Sequence, residues 1–322
     1  MINFKKKRIH GIQLFAVWIM VMIGCVFYNA DCYVVNAKEA FDEEYVTSDS
    51  WITPAVIHEE EDVPVIVKRG ASASSFDARN NGWITPVKNQ GNYETCWSFA
   101  TAAAIEANLI KNGLAGSDVD ISENSIAYFF YNRETDKLGY TKGDYNMIVR
   151  TGYDYLSAAG TLQGTGISLV TGAGILTEGQ SPYLTKPDAS LCYGGDYAVK
   201  NLYLYNYNTS NLQNTVQKVK QAIMDHGAVA TGMFFSQSYY DKDKASYYCP
   251  IKSGNHAVTI VGWDDEYSKD KYGCYIIQAF LTNCRDEQYD KIYNETCKKF
   301  KELIKHESGT YLIVFFFQMK KI

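Results

Sequence analysis

The chain has 322 residues, of which 46% are hydrophobic and 14% aromatic, so it can bury a core in one large domain or two small ones. Its formal net charge of -5 argues against a nucleic-acid partner, because binding to phosphates requires clustered basic residues. The 8 cysteines are too few and too irregularly spaced for a disulfide scaffold, and no C-x-x-C pair indicates a zinc site. We therefore predict a globular protein without a metal.

The N-terminus has the layout of a secretory signal. Residues 5–8 are all basic, and residues 11–28 form an almost uncharged apolar stretch. Small residues at 35 and 37 place signal cleavage after Ala37, which predicts a secreted or cell-surface protein. Two alternatives stay open: a lipid on Cys25, whose context resembles a bacterial lipobox, and a retained membrane anchor.

Residues 38–75 are predicted to be a pro-segment and linker. They are rich in Asp and Glu up to residue 62, show no sustained helical period and end in a run of Ser and Ala. Lys68-Arg69-Gly70 offers basic residues to a processing enzyme, and an exposed tether is an equally good interpretation.

Helical patterns fill the next part of the chain. The alanine-rich segment 96–111 has apolar residues at three- and four-residue steps, and Asn112-Gly113 supplies its end. Ser122 is a candidate N-cap for a second helix that reaches Tyr131, whereas many glycines interrupt residues 146–183.

Strand patterns follow from about residue 227. Segments 228–235, 256–263 and 274–278 are rich in Val, Ile, Tyr and Phe and are separated by polar loops. A helical half followed by a half made of antiparallel strands predicts an α+β fold.

Cys96 opens the first predicted helix, where unpaired N–H groups and the helix dipole favour a thiolate. Glu94 stands two residues before it, and its charge acts in the opposite direction by raising the thiol pKa. A lone cysteine beside Trp97 and Phe99 would otherwise be a core residue, so its surroundings decide the interpretation.

The residues before and after Cys96 form a recognisable pattern. Three strings follow one another within residues 76–100: Phe76-Asp77-Ala78-Arg79, Thr85-Pro86-Val87-Lys88-Asn89-Gln90-Gly91 and Cys96-Trp97-Ser98-Phe99-Ala100. Together they resemble the N-terminal signature of the papain and cathepsin family of cysteine peptidases. The resemblance implies that Cys96 is the nucleophile and that Gln90, six residues earlier, contributes to the oxyanion hole. It also implies a two-lobed fold, with a helical first lobe, an antiparallel β-barrel-like second lobe and the active-site cleft between them.

The resemblance also identifies a base and a substrate site. Asn255-His256-Ala257-Val258 is similar to the family motif whose histidine pairs with the cysteine, so His256 is the expected general base. The other four histidines lie in segments without such a motif: His10, His58, His226 and His306. Gly160 and Thr161 align with a glycine pair that binds the substrate backbone, although the second glycine is missing and a plain turn glycine is an equal alternative. We assign Asn255 to substrate binding as well.

The pattern fails at its C-terminal end. The family's third catalytic residue is an asparagine in Asn-Ser-Trp-Gly, and this chain contains no such string. Ala279 follows the strand that should deliver it, and Asn283 would serve only after a shift of four residues. We therefore divide the chain into a peptidase domain, 76–278, and an unrecognised tail, 279–322, whose apolar run 311–317 has no clear partner. The tail is either a diverged end of the second lobe or the product of a changed reading frame.

The sequence thus predicts an exported cysteine peptidase that acts as a monomer on polypeptides, through a thioester and without any cofactor. Substrate preference would be set by a pocket between the lobes, to which residues 145–166 and those near Phe234 contribute. Two alternatives remain: an impaired enzyme of the same fold that binds peptides or surface partners, and an adhesion protein that does not use the cleft.

Overall fold

The computed structural model describes residues 56–59, 70–135, 154–170, 175–206, 212–241, 246–251, 254–267, 274–278, 302–305 and 313–321. The predicted signal segment, Cys25, Lys68, Arg69 and Asn283 lie outside these ranges. Among the described residues, no helix is long and apolar enough to cross a membrane.

The described residues form four α-helices and ten strands. The helices are α1 (Cys96–Lys111), α2 (Glu123–Tyr131), α3 (Leu162–Val170) and α4 (Leu212–His226). The strands are β1 (Val56–Glu59), β2 (Ser75–Asp77), β3 (Tyr197–Asn206), β4 (Val229–Met233), β5 (Tyr240–Asp241), β6 (Ser246–Tyr247), β7 (His256–Asp264), β8 (Cys274–Gln278), β9 (Glu302–Lys305) and β10 (Ile313–Lys321).

The strands join in one sheet of order β1-β3-β10-β4-β7-β8-β9-β6-β5, with β2 paired to β7. Neighbours run antiparallel except β1 with β3 and β6 with β9. Helices α1 to α3 precede most of this sheet along the chain, which confirms the predicted α+β class.

Local signals set the helix ends. Helix α1 has the predicted bounds, and it stops at Asn112 because Gly113 adopts a φ of +66 that side chains rarely accept. The Ser122 hydroxyl accepts a hydrogen bond from the Ser125 N–H at 2.9 Å, so it caps α2 as predicted. Helix α3 was not located from the sequence, because Gly164 and Gly166 lie inside it.

The sheet separates two hydrophobic cores because strand side chains alternate between its faces. Ala257 and Ala230 belong to the core that α1 occupies, whereas Val258 and Ile260 pack with α4 on the other face. Thr259 also faces α1, and its hydroxyl donates to the Ala100 carbonyl at 3.2 Å. Helix α1 is thereby joined to β7 near the start of both elements.

The tail has a place in this sheet, so the prediction that its apolar run lacks a partner is wrong. Strand β10 lies between β3 and β4, and β9 pairs with β8. Met319 is 4% exposed in the α1 core, and its N–H donates to Asn108 Oδ1 at 3.0 Å. Pairing with strands about one hundred residues away leaves no local signal in the sequence, which is why the pattern missed it.

We expect Met319→Ala to lower the free energy of unfolding by about 2–5 kcal/mol, because it leaves a cavity beside α1. Lys321→Ala, at an exposed position on the same strand, should change it by less than about 0.5 kcal/mol. Urea unfolding of both variants measures the difference. Equal stabilities would show that β10 does not pack against the body.

Candidate active site

One cavity of about 350 Å³ brings together most of the predicted site residues. One wall comes from the start of α1 and the turn before α3. The other wall comes from the end of β4 and the start of β7. The lining residues are Glu94, Cys96, Trp97, Ala159, Gly160, Thr161, Leu162, Gln163, Gly232, Gly254, Asn255, His256 and Ala257. Among the described residues, no group of His, Cys, Asp and Glu could hold a metal ion.

Cys96 is the first residue of α1 and is partly exposed to the cavity. Burial raises the pKa of its thiol to about 11, the Ala257 N–H hydrogen bond to it opposes this shift, and the Glu94 carboxylate adds to it. The N–H groups at the helix start lower the thiol pKa, as expected, but burial outweighs them and the net shift is upward. The effect of Glu94 has the predicted sign.

His256 is the first residue of β7, and its ring lies 5.9 Å from the Phe235 ring, centroid to centroid. Burial lowers the pKa of the imidazole to about 4, so the side chain is neutral at pH 7 and available as a base. Because unfolded histidine has a pKa near 6.5, this site contributes stability that is lost as the pH falls from about 6.5 to 4.

Gln90 is the exception, because it does not line the cavity. Its side chain is 4% exposed, and Nε2 donates to the Tyr93 carbonyl at 2.9 Å. The Tyr183 hydroxyl donates to the Gln90 carbonyl at 3.0 Å and lies 2.7 Å from Thr95 Oγ1, so it joins both ends of this loop. The loop that carries Gln90 is thus held rigidly beside Cys96, with the amide turned to the backbone.

Gly160 is packed against an aromatic ring. A Cβ at this position would overlap the Trp97 indole, whose Nε1 donates to the Glu94 carbonyl at 2.9 Å. The φ of Gly160 is not positive, so close approach and not turn geometry accounts for the glycine. Thr161 directly precedes α3, and its Oγ1 accepts the Gly164 N–H at 3.1 Å.

Asn255 lies on the opposite wall with its amide already engaged. Oδ1 accepts the Phe235 N–H at 2.6 Å, and Nδ2 donates to the Phe235 carbonyl at 3.0 Å. This pair of bonds ties the residue before β7 to the segment that follows β4.

Comparison with known proteins identifies the family of the chain. The family described as "Papain family cysteine protease" matches residues 72–279, about two thirds of the sequence. The chain belongs to the papain family of cysteine proteases. A second match, to a pumilio-family RNA-binding repeat, covers residues 266–297. We do not assign this function, because the structure describes strand β8 within that range, whereas the repeat is helical.

This papain-family protein is 26% identical to a senescence-specific cysteine protease of Arabidopsis thaliana, over 64% of the chain and 52% of that relative. It is 27% identical to cathepsin K of Mus musculus, over 60% of the chain and 52% of that relative. The chain therefore spans about half the length of these curated relatives. The chain also matches the solved cysteine protease and lectin-like domains of Cwp84, a surface layer associated protein of Clostridium difficile. The TM-score is 0.58 and the sequence identity is 24%, and the match covers 80% of this chain and 53% of that structure. The expected papain-like α+β fold is confirmed.

Gln163 and Gly232 line the cavity within or near the segments that the sequence assigned to a substrate pocket, and Trp97 belongs to the string around Cys96. The Ala257 backbone N–H, which hydrogen-bonds to the Cys96 sulfur, carried no sequence signal. A backbone N–H leaves no trace in residue identity. Only the tertiary pairing of β7 with α1 reveals it.

A buried charge cluster supports the loop that precedes Cys96. Lys88 Nζ lies 2.7 Å from Glu106 Oε1, 2.7 Å from Glu123 Oε1 and 2.5 Å from Asp120 Oδ1. Burial lowers the pKa of Lys88, but the Glu123 and Glu106 carboxylates outweigh it and raise the pKa overall. Burial raises the pKa of Glu123 to about 8 against the attraction of Lys88, and burial raises the pKa of Glu106 as well.

We expect Lys88→Met to lower the free energy of unfolding by about 3–5 kcal/mol at pH 8, because it leaves buried carboxylates without a cation. The loss should shrink at pH 5, where the carboxyls take up protons. Denaturant unfolding at both pH values tests this, with the exposed Lys186→Met as the matched control. A loss no larger than that of Lys186→Met would contradict the interpretation.

We expect Gly160→Ala to cost about 1–3 kcal/mol of stability, because Trp97 must move and give up its bond to Glu94. Gly254→Ala on the facing wall is the control, since the nearest atom to a Cβ there is the Met233 carbonyl oxygen at 4.0 Å. Thermal unfolding and the fluorescence of Trp97 report both effects. Indistinguishable variants would show that Gly160 is not constrained by the indole.

Proposed function

We propose that this protein is an exported papain-like cysteine peptidase that hydrolyses peptide bonds with Cys96 as nucleophile and His256 as general base. The observation that carries the proposal is that the first residue of α1 and the first residue of β7 line one cavity between the helices and the sheet. A polypeptide is the proposed substrate, the chain acts as a monomer, and the chemistry requires no metal or organic cofactor.

The Cys96 thiol and the His256 imidazole are both neutral before the reaction, so a proton must be transferred as the sulfur attacks the substrate. His256 accepts the Cys96 proton as the sulfur bonds to the substrate carbonyl carbon, and the Cys96 backbone N–H stabilises the oxyanion. The second hydrogen on Gln90 Nε2 is the proposed additional donor, because the first is given to the Tyr93 carbonyl. The imidazolium then protonates the leaving amine, and water, deprotonated by His256, hydrolyses the thioester.

The remaining assignments extend this proposal along the chain. Residues 1–37 are proposed as a signal peptide, 38–75 as a pro-segment, 76–278 as the peptidase domain and 279–322 as the tail. Secretion or attachment to the cell surface follows from the N-terminal pattern, and the similarity to the surface layer associated Cwp84 supports it. A lipid on Cys25 is the alternative mode of attachment.

A second candidate is a peptide-binding protein of the same fold with impaired catalysis. The observation that favours it is the pair of pKa values, about 11 for Cys96 and about 4 for His256, which leaves both groups uncharged at pH 7. The chain also lacks the Asn-Ser-Trp-Gly string that would orient the imidazole.

Iodoacetamide labelling distinguishes the two candidates. For a peptidase, we expect the rate at Cys96 to be nearly constant from about pH 5 to about pH 8, because neutral His256 accepts the thiol proton throughout. In His256→Ala the rate at pH 7 should fall by about 100-fold. It should then rise about tenfold per pH unit toward the thiol pKa of about 11.

His226→Ala is the control, since His226 ends α4 outside the cavity. Peptide mapping separates Cys96 from Cys192 and Cys249, which are 1% and 0% exposed. If the unmodified protein already shows the steep pH dependence expected of His256→Ala, catalysis is absent and the binding protein is the better assignment.

A further inference from the structure

Glu94 places a carboxylate on the wall of the cavity next to the nucleophile. The side chain is exposed, and the residue lies two positions before Cys96, so the two Cα atoms are separated by at most about 7 Å. A charged group thus stands on the wall of the cavity in which a substrate of Cys96 would lie.

The Glu94 backbone is fixed on both sides. Its N–H donates to the Leu156 carbonyl at 3.0 Å, and its own carbonyl accepts the Trp97 Nε1 hydrogen at 2.9 Å. The carboxylate, by contrast, has no hydrogen-bond or ion-pair partner among the described residues. A rigid anchor with an unpaired charge is suited to a partner that arrives from outside.

The rest of the described wall supplies no cation. Apart from Glu94, the residues that line the cavity are apolar, neutral polar or glycine, together with His256, which is uncharged at pH 7. Among the described lining residues, Glu94 thus carries the one formal charge at pH 7. A bound peptide would exclude water from the cavity and strengthen the field of this charge.

We propose that Glu94 selects substrates with arginine or lysine at the residue that supplies the scissile carbonyl. This inference rests on the proposed peptidase function and names its substrate class. That residue's Cα is bonded directly to the carbon that Cys96 attacks, so its side chain starts beside the sulfur. A side chain of arginine or lysine length then spans the distance to the carboxylate, and arginine can bind it through two hydrogen bonds.

The test uses two peptidyl acyloxymethyl ketones that differ only in this residue, with arginine in one and its neutral isostere citrulline in the other. Mass spectrometry measures the second-order rate of Cys96 labelling by each. We expect the arginine reagent to react about tenfold faster at low salt, and the ratio to decrease as sodium chloride is added. Glu94→Gln should bring the ratio close to one, and Glu94→Lys should invert it.

Glu266→Gln is the matched control, because it removes the same charge from an exposed glutamate beyond the far end of β7, about 26 Å from His256. It should leave the ratio unchanged. A ratio near one in the unmodified protein overturns the inference while the labelling itself supports the peptidase. A Glu94→Gln variant that reacts faster with both reagents at an unchanged ratio also overturns it, because Glu94 would then act on the thiol alone.

Failure of the proposed function gives a different result. In that case iodoacetamide would label Cys96, but neither peptidyl reagent would. Both the peptidase function and the proposed substrate preference would then be rejected.

Discussion

The contact of helix α1 with strand β7 is the constraint on which the site depends. Alanines along α1 let the helix approach the sheet closely, and the Thr259 hydroxyl fixes the two elements by donating to the Ala100 carbonyl. Cys96 lies one helical turn before Ala100, and His256 lies three strand residues before Thr259. Cys96 and His256 therefore line the same cavity because the elements that they begin are packed together.

Burial determines the charge states of Cys96 and His256. A helix N-terminus stabilises a thiolate by a modest amount, whereas removing the sulfur from water costs more, so the thiol stays protonated near neutral pH. The same desolvation keeps His256 neutral. The cavity thus holds a neutral thiol and a neutral imidazole, and the charge of Glu94 opposes formation of the thiolate.

The supporting structure extends well beyond the cavity. The Lys88 cluster holds the loop before Cys96 against α1 and α2, and Tyr183 closes the same loop from the other side. Strand β10 fills the sheet between β3 and β4 and brings Met319 against α1. A tail without family motifs thus helps to hold the helix that begins with Cys96.

The sequence by itself determined the features that depend on nearby residues. The bounds of α1, its end at Asn112-Gly113 and the Ser122 cap follow from periodicity and capping, which act over a few positions. The strings around Cys96 and His256 identified the family for the same reason, since each is a short contiguous motif.

Only the tertiary structure decided the features that depend on distant pairing. The place of β10, the turning of the Gln90 amide toward Tyr93 and the contact of the Ala257 N–H with the Cys96 sulfur each join groups whose environment no local pattern specifies. Desolvation is of this kind as well, because it depends on everything packed around a group. The sequence could therefore propose Cys96 and His256 as nucleophile and base, but it could not give their charge states.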